Sequence, residues 1–583
     1  MQKIEKVTDK VILATLGSIT FLALFFTRAA EMSGMSIGFA GQVSRDVFVF
    51  HPHHLLYQSV LNVLHGLFGS THCSAICIGQ LHSIFWGVVT VLSVYVISRH
   101  TLPTKLGAII TSISIVVTHG FAVYATQLEP YIPILGMSSL LAAILVARGS
   151  QDLGWKHEIL FISIISTSLL FHQAMLFFFV PIAYWLIANN GKSGLVSVIR
   201  MIAVAGVIVL STFAAAFWST YPGKDPVDFF RWIMYYQTIG DPSDIQGTFQ
   251  GLLDERLRAT AYAIQKLFVA IPGQDMPDLA FFFRLLVSIY VPLLILWNSY
   301  QIFRSEGTNK VRTFMFIWAG VFAIFFFWWS ASVYKFYILI LVPIVILTSV
   351  SINDIMRAWR DKVLARKLIP GITLAGLVFI AGLNLMVSVL PLSRSPGAIY
   401  DLANKLASAA PAECNIYSMR FLSGYISYYF GRSPRPFNLM FRKQYFSTRD
   451  TAVAETIGVD FHFDDERCAT IPLHWVSREY FEARSQTGMG RYLSPNDWSL
   501  FVEWFFEVKD SLNSAEVSFS SFSVTEDADG DRYLIIDRTN RQSVVSIDEL
   551  LERLDTLYAL RPARSFGDRP DIGQHRRLEF GYN

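Results

Sequence analysis

The sequence predicts a polytopic α-helical membrane protein with about eleven spans, followed by a C-terminal water-soluble α/β domain. Of its 583 residues, 53% are hydrophobic and only 16% are charged, whereas an ordinary soluble protein has about 25% charged residues. Long apolar runs recur along the chain up to residue 390. The net charge of +3 comes without a basic patch, so the composition gives no indication of nucleic-acid binding.

Eleven segments are candidates for spanning helices, which need about 20 mostly apolar residues each. They lie near 11–29, 75–98, 106–124, 130–147, 158–171, 174–190, 197–218, 279–303, 313–330, 336–353 and 368–390. No small-residue cleavage site follows the first, so we interpret it as a retained span and not a signal peptide. The predicted domains are a membrane domain at 1–391, a soluble domain at 392–560 and a charged tail at 561–583.

The distribution of Lys and Arg predicts that the N-terminus lies inside. With that orientation most basic residues fall in inner loops, and the short outer loops hold only Arg28, Arg45 and Lys335. An odd number of spans then places the C-terminal domain outside the cytoplasmic membrane. The outer segments 53–68 and 229–236 are predicted to lie in the membrane interface, because they combine apolar, aromatic and polar residues.

The soluble domain mixes helical and strand patterns. We predict helices at 396–408 and 547–558, a strand at 415–418, and a hairpin of strands 519–524 and 532–536. The hairpin turn DADGD resembles a calcium loop, but an arginine stands where an EF-hand needs glycine. We therefore interpret it as a turn.

Four cysteines are too few for a disulfide scaffold. In an oxidising compartment Cys414 and Cys468 could form a disulfide, and two free thiols are an equal alternative. Cys73 and Cys77 lie one helical turn apart, and we interpret them as packing residues.

Ionisable residues next to a membrane are costly unless they are solvated or paired, so they are candidates for function. The first outer segment holds the densest group: Glu31, Arg45, Asp46, His51, His53, His54 and Tyr57. A carboxylate here could act as a general base, and the basic side chains could hold a phosphate. The alternative is a solvated loop at the membrane boundary. The spacing H-x-H-H matches no compact zinc motif, and a divalent metal stays an open alternative.

Three further outer turns carry candidate residues. The turn after the third span contains Gln127, Glu129 and Tyr131, where Glu129 either functions or caps the next helix. His172 forms a similar turn. Tyr334 and Lys335 lie in a short aromatic loop, where the lysine could bind a lipid phosphate or extend to the interface.

Residues 10–390 resemble GT-C superfamily glycosyltransferases, in particular bacterial relatives of the dolichyl-phosphate-mannose–protein mannosyltransferases. The His-Pro-x-x-x-Leu-Tyr signature of one branch is matched by His51, Pro52, Leu56 and Tyr57. The Glu-x-Tyr of the turn after the third span is matched by Glu129 and Tyr131. The layout of the spans and the external α/β domain are also similar.

The resemblance implies transfer of a sugar from a polyprenyl-phosphate carrier to a protein or glycan acceptor on the outer side, with inversion at the sugar carbon. An acid of the first outer loop would deprotonate the acceptor, and cationic groups would stabilise the leaving phosphate. The family places that acid about a dozen residues before the His-Pro, where this chain has Gly38 and Phe39. Asp46 is our first choice for the base and Glu31 the second.

Two other functions are considered. Because the acid is missing from its usual position, the chain could be a non-catalytic membrane subunit that serves as a scaffold in a larger complex. A transporter is disfavoured, because the spans contain few charges and no pair of broken helices.

Overall fold

The computed structural model describes most of the membrane domain and part of the C-terminal domain. The described residues are 2–45, 50, 53–69, 73–151, 154–233, 253–270, 277–304, 309–330, 333–358, 363–418, 420–432, 434–436, 468–473, 478, 498–499, 502, 506, 509–510, 517–527, 530–544 and 546–559. The chain forms two compact units, of which the first comprises residues 1–32 and 42–395 and the second residues 33–41 and 396–583.

The first unit is built from helices; α2 divides between the two units. In chain order they are α1 (Gln2–Phe26), α2 (Gly34–Ser44), α3 (Leu55–Phe68), α4 (Ala75–Thr101), α5 (Lys105–Val116), α6 (His119–Tyr124), α7 (Tyr131–Arg148), α8 (Trp155–Phe171), α9 (Phe179–Thr220), α10 (Pro226–Ile233), α11 (Leu253–Phe268), α12 (Pro277–Arg304), α13 (Lys310–Ser330), α14 (Leu341–Ala358), α15 (Val363–Asn384) and α16 (Leu390–Arg394). Short 3₁₀ helices precede α9 (Gln173–Phe178) and α14 (Phe336–Ile340), and a π-helical turn (Leu385–Val389) follows α15.

The prediction of a polytopic helical membrane protein is confirmed. Helices lie at each of the eleven predicted spans, and seven helical segments among the described residues are long and apolar enough to cross a membrane. Large apolar side chains stay exposed along these helices, for example Ile199 and Val207 on α9 and Leu293 on α12. An apolar surface of this kind suits contact with lipid.

The prediction of one continuous span at 106–124 is wrong. The helix ends at Val116, and α6 begins after Thr118, whose hydroxyl donates to the Ile115 carbonyl. In contrast, the helical stretch Phe179–Thr220 contains Gly191 at φ 56°. That left-handed conformation suits glycine, and it divides the stretch between the two spans predicted at 174–190 and 197–218.

The second unit is a small α/β domain, as predicted. Its elements after the first unit's helices are α17 (Gly397–Ala409), β1 (Asn415–Ser418), α18 (Arg420–Phe430), β2 (Arg435–Pro436), β3 (Cys468–Pro472), β4 (Lys509–Asp510), β5 (Val517–Glu526), β6 (Arg532–Val544) and α19 (Ile547–Ala559). The described strands form one sheet in the order β2-β1-β3-β6-β5-β4. β1 pairs with β2 and β3 in parallel, and the other pairs are antiparallel.

The described residues of DADGD, Asp527, Gly530 and Asp531, lie between β5 and β6, at the predicted hairpin turn. Gly530 adopts φ 79°, and the Asp531 N–H donates to Asp527 Oδ1 at 2.9 Å. Asp531 itself accepts from Lys405 at 3.3 Å. The side chains of this turn therefore stabilise the hairpin.

Both cysteine pairs form disulfides. Cys414 and Cys468 join the starts of β1 and β3, with their Cα atoms 4.7 Å apart, which decides between the two alternatives for these thiols. The interpretation of Cys73 and Cys77 as packing residues is wrong, because they are bonded with a Cα–Cα distance of 5.2 Å. Cys77 lies in the first turn of α4 and Cys73 directly precedes its N-cap Ser74, so the disulfide closes the start of the helix.

Candidate functional site

The candidate site lies in the first unit, around the turn that precedes α7. The side chain of Gln80, on α4, donates to the Ala29 carbonyl at 2.7 Å and to the Thr126 carbonyl at 2.9 Å. This amide joins the end of α1 to the turn. Three residues after Thr126 the turn contains Glu129, whose side chain is fully buried.

Lys335 brings a cation to that buried carboxylate. Its Nζ lies 3.7 Å from Glu129 Oε1 and 5.6 Å from the centre of the Tyr131 ring. Phe336, the next residue, packs edge-on against the same ring at 5.6 Å. The cation therefore lies against both a carboxylate and an aromatic face at the start of α7. It keeps 19% of its side chain exposed, so an anion can reach it.

Two histidines extend this cluster with complementary tautomers. The His172 ring lies 5.4 Å from Tyr131 and 5.0 Å from His54. His172 Nδ1 accepts the N–H of Ala174 at 3.1 Å, which leaves its Nε2 as a donor. His54 Nδ1 lies 3.2 Å from the Phe171 carbonyl. A carbonyl only accepts, so His54 donates there and its Nε2 is the acceptor.

Tyr57 connects helix α3 to the same group. Its side chain is buried and packs against Phe171 at 5.8 Å. Burial, and then the Glu129 carboxylate, raise the pKa of Tyr57 well above its ordinary value. The phenol therefore keeps its proton at neutral pH and offers a donor near Glu129.

Tyr334 faces a second cation. The Lys266 Nζ, on α11, lies 4.7 Å from the centre of the Tyr334 ring. His119 stacks against the same ring at 6.0 Å, and Tyr124 lies 5.5 Å away. Two lysines thus lie near Tyr334: Lys335, which follows it in the chain, and Lys266, which reaches its ring from α11.

Comparison with solved structures identifies the architecture. The chain matches the oligosaccharyltransferase AglB of the archaeon Archaeoglobus fulgidus, in complex with an inhibitory peptide and a dolichol-phosphate, at 12% identity and a TM-score of 0.50, over 92% of this chain and 74% of that one. It also matches ArnT from Cupriavidus metallidurans bound to undecaprenyl phosphate, at 13% identity and a TM-score of 0.52, over 92% of this chain and 98% of the other. Both are GT-C glycosyltransferases.

The chain has the GT-C fold. Identities of 12% and 13% show the fold alone. No family model matches the sequence, and no curated protein does.

On this GT-C fold the predicted site residues fall into three groups. The structure brings together His54, Tyr57, Glu129, Tyr131, His172, Tyr334 and Lys335. Asp46 and His51 lie outside the described residues.

The remaining candidates lie on nearby segments of the chain. Glu31 follows α1, and its N–H donates to the Leu392 carbonyl at 3.0 Å. Arg45 is exposed after the end of α2. His53 is buried before α3. Gln127 is buried too, and its Oε1 has no hydrogen-bond partner within the described part of the chain.

Sequence reasoning missed Lys266, Gln80 and Asn384. Lys266 lies on the buried stripe of α11 with Ala263, Ile264 and Leu267. A lysine at a helical spacing from these apolar residues is the signal that could have identified it. Asn384 ends α15 and contacts the end of α11, and no local pattern marks such a long-range contact.

The described residues contain no group of three or more His, Cys, Asp or Glu side chains that could hold a metal ion. The candidate ligands His53 and His54 are described, whereas Asp46 and His51 are not. The alternative of a divalent metal in the first outer segment therefore stays a prediction from sequence.

Proposed function

We propose that the chain is a membrane glycosyltransferase that transfers a sugar from a polyprenyl-phosphate carrier to a protein or glycan acceptor on the extracytoplasmic side. The observation that carries the proposal is the Lys335–Glu129 pair, with Tyr131, His172 and His54 around it, on a GT-C fold. Two solved structures of this fold contain a dolichol-phosphate and an undecaprenyl phosphate.

In this proposal the donor phosphate binds near Lys335. Sugar transfer leaves negative charge on the phosphate, and a fixed cation in a site of low polarity stabilises that charge. Glu129 and the Tyr131 ring hold the ammonium in place before the donor arrives. Tyr57 and His172 belong to the same cluster, through the Glu129 charge that acts on the Tyr57 phenol and through the Tyr131 ring beside His172.

The acceptor hydroxyl needs a base, and we propose a carboxylate of the first outer segment. Asp46 is the first choice and Glu31 the second, as the sequence resemblance implies. The base would take the hydroxyl proton while the acceptor oxygen attacks the sugar carbon and the C–O bond to phosphate breaks, which inverts that carbon. We also propose a location in the cytoplasmic membrane, with the N-terminus inside and the C-terminal domain outside, on the distribution of Lys and Arg.

The test is a transfer assay with the purified full-length protein, polyprenyl-phosphate sugars and membrane acceptors. We expect Lys335→Met to lower kcat/KM by about 100-fold or more, since removing one group that stabilises transition-state charge typically costs that much. Lys224→Met is the matched control, because Lys224 is exposed. Asp46→Asn and Glu31→Gln test the base.

Three results would contradict the proposal or part of it. Unchanged activity in Lys335→Met would remove Lys335 from the site. Full activity in both acid variants would exclude the proposed base. A protein that purifies in a fixed complex and transfers none of the sugars offered would favour a scaffold.

A further inference from the structure

The two lysines near Tyr334 differ in their partners. Lys335 lies 3.7 Å from the Glu129 carboxylate. The Lys266 Nζ lies 4.7 Å from the centre of the Tyr334 ring and 5.7 Å from that of Tyr262, and among the described residues it forms no ion pair with a carboxylate. A buried ammonium without a carboxylate is costly. Lys266 is therefore the cation that an incoming anion would stabilise most.

Helix α11, which carries Lys266, is held at both ends by long-range hydrogen bonds. Arg256, in the first turn of the helix, donates to the carbonyls of Phe327 and Trp328 at 3.1 and 2.8 Å. At the other end the Asn384 side chain donates to the Phe268 carbonyl at 2.8 Å. Lys266 keeps only 7% of its surface exposed between these two attachments. The ammonium is therefore buried beside aromatic rings on a helix that is anchored at both ends.

The groups around Lys266 add little negative charge to hold its proton. Burial lowers the pKa of Lys266 from 10.5 to about 7. The titratable and charged groups on this side of the unit are Tyr262 and Arg256 on its own helix, His119 and Tyr124 on α6, Tyr334 and Lys335 in the turn before α14, Tyr337 in the following 3₁₀ helix, and Glu129 and Tyr131 beside α7. Glu129, the one carboxylate among these, is paired with Lys335.

We propose that Lys266 binds the phosphate group of the lipid-linked donor and takes up a proton as that phosphate binds. This inference rests on the proposed function and deepens it, because it makes donor affinity depend on pH. Lys335 is already a cation paired with Glu129 before the phosphate binds. Lys266, in contrast, is fully protonated only when the phosphate is bound. Donor binding and protonation of Lys266 are then linked, and each favours the other.

The linkage fixes the direction and size of the pH effect. With a pKa of about 7, half of the free Lys266 side chains are charged at pH 7 and about 1% at pH 9. A bound phosphate raises the pKa of Lys266, because an opposite charge favours the protonated form. Donor affinity should therefore fall by about 50-fold between pH 7 and pH 9, and binding at pH 8 should take up about 0.9 proton.

The experiment is isothermal titration calorimetry on the full-length protein in detergent, at pH 7, 8 and 9. The probe is farnesyl methyl phosphate, a phosphate diester. A phosphate monoester has its own pKa at about 6, so its titration would add to the number of protons measured on binding. Each titration is run in two buffers that differ in ionisation enthalpy. The difference in observed heat gives the number of protons taken up per bound ligand.

Three variants separate Lys266 from its neighbours. Lys266→Arg keeps a charge that does not titrate below pH 12, so its affinity should be constant with pH and its proton uptake should vanish. Lys266→Met should bind weakly at every pH. Lys335→Arg is the matched control: it makes the same change at the lysine already paired with Glu129, so the proton uptake per bound ligand should stay.

The outcomes distinguish this inference from the proposed function. Wild-type uptake that persists in Lys266→Arg would assign the proton to another group, such as His119, and would overturn the inference alone. A wild-type affinity that is constant from pH 7 to pH 9 would do the same. If the wild-type protein bound no probe at any of these pH values, both proposals would fail.

Discussion

Replacing Lys335 by methionine should destabilise the membrane unit more than replacing Glu129 by glutamine, because the two charges differ in burial. Glu129 is fully buried, whereas Lys335 keeps 19% of its side chain exposed. Loss of Lys335 leaves a buried carboxylate without its cation, which costs about 3–5 kcal/mol. Loss of Glu129 leaves a partly solvated ammonium over Tyr131, at 5.6 Å from the ring centre, and we expect about 1–2 kcal/mol.

The double variant decides whether the pair accounts for the difference. With both charges removed, no uncompensated charge is left, so we expect the double variant to lose only about 1–2 kcal/mol. The two single costs then overstate the double cost by at least about 2 kcal/mol, as expected for residues in contact. Equilibrium denaturant unfolding in detergent micelles gives the free energy of unfolding of the wild type, the two single variants and the double variant. Equal costs for the two single variants, or a double cost equal to their sum, would refute this reasoning.

Three further predictions follow from buried groups. Asn384→Leu should lower the free energy of unfolding by about 2–4 kcal/mol and speed hydrogen exchange at the end of α11, because one buried and two partly buried backbone groups lose their partner. Arg432→Met should destabilise the second unit by a similar amount, and Arg432→Lys by less, because the guanidinium donates to four carbonyls, one in the last turn of α17 and three between α17 and β1; normal hydrogen exchange at α17 would contradict this. The free energy of unfolding of the wild type should rise by about 2 kcal/mol between pH 7 and pH 9, since the unfolded state binds a proton that Lys266 loses on folding; Lys266→Met should lack this rise.

Several elements of the C-terminal domain were predicted correctly from short sequence patterns. Strand β1 begins and ends at the predicted residues, and α17 and α19 lie within about a residue or two of their predicted bounds. Each element depends on an amphipathic pattern, an alternating pattern or a set of turn residues. All of these patterns lie within a few neighbouring residues. The hairpin turn was predictable for the same reason, because Gly530 meets the demand for a left-handed backbone.

The prediction at 106–124 failed at a helix break where a local hydroxyl and a distant side chain both bind backbone carbonyls. Most residues of this segment are apolar, and hydropathy alone favours one helix. The carbonyl of Val117, left without a helical partner, accepts from the Asn384 side chain at 2.8 Å. The donor lies 267 positions away in the chain, so no local window contains the partner of this carbonyl.

For the candidate site, too, the sequence identified residues but not the contacts between them. Turn sequences and ionisable residues next to predicted spans identified Glu129, Tyr131, His172 and Lys335 as candidates, because a charge beside a membrane needs a solvent or a partner. Which residues would be partners was not predictable: Lys335 and Glu129 are separated by 206 positions and meet only where α7 packs against the 3₁₀ helix Phe336–Ile340.

By itself the sequence determined that this chain is a many-span membrane protein with a small α/β domain, because apolar content and strand alternation are properties of neighbouring residues. Tertiary structure alone decided that Lys335 pairs with Glu129 and that Lys266, on an otherwise apolar stripe, has no carboxylate within the described part of the chain. The physical reason is that the free energy of a buried charge depends on what surrounds it. For these lysines the surroundings come from helices far apart in the chain.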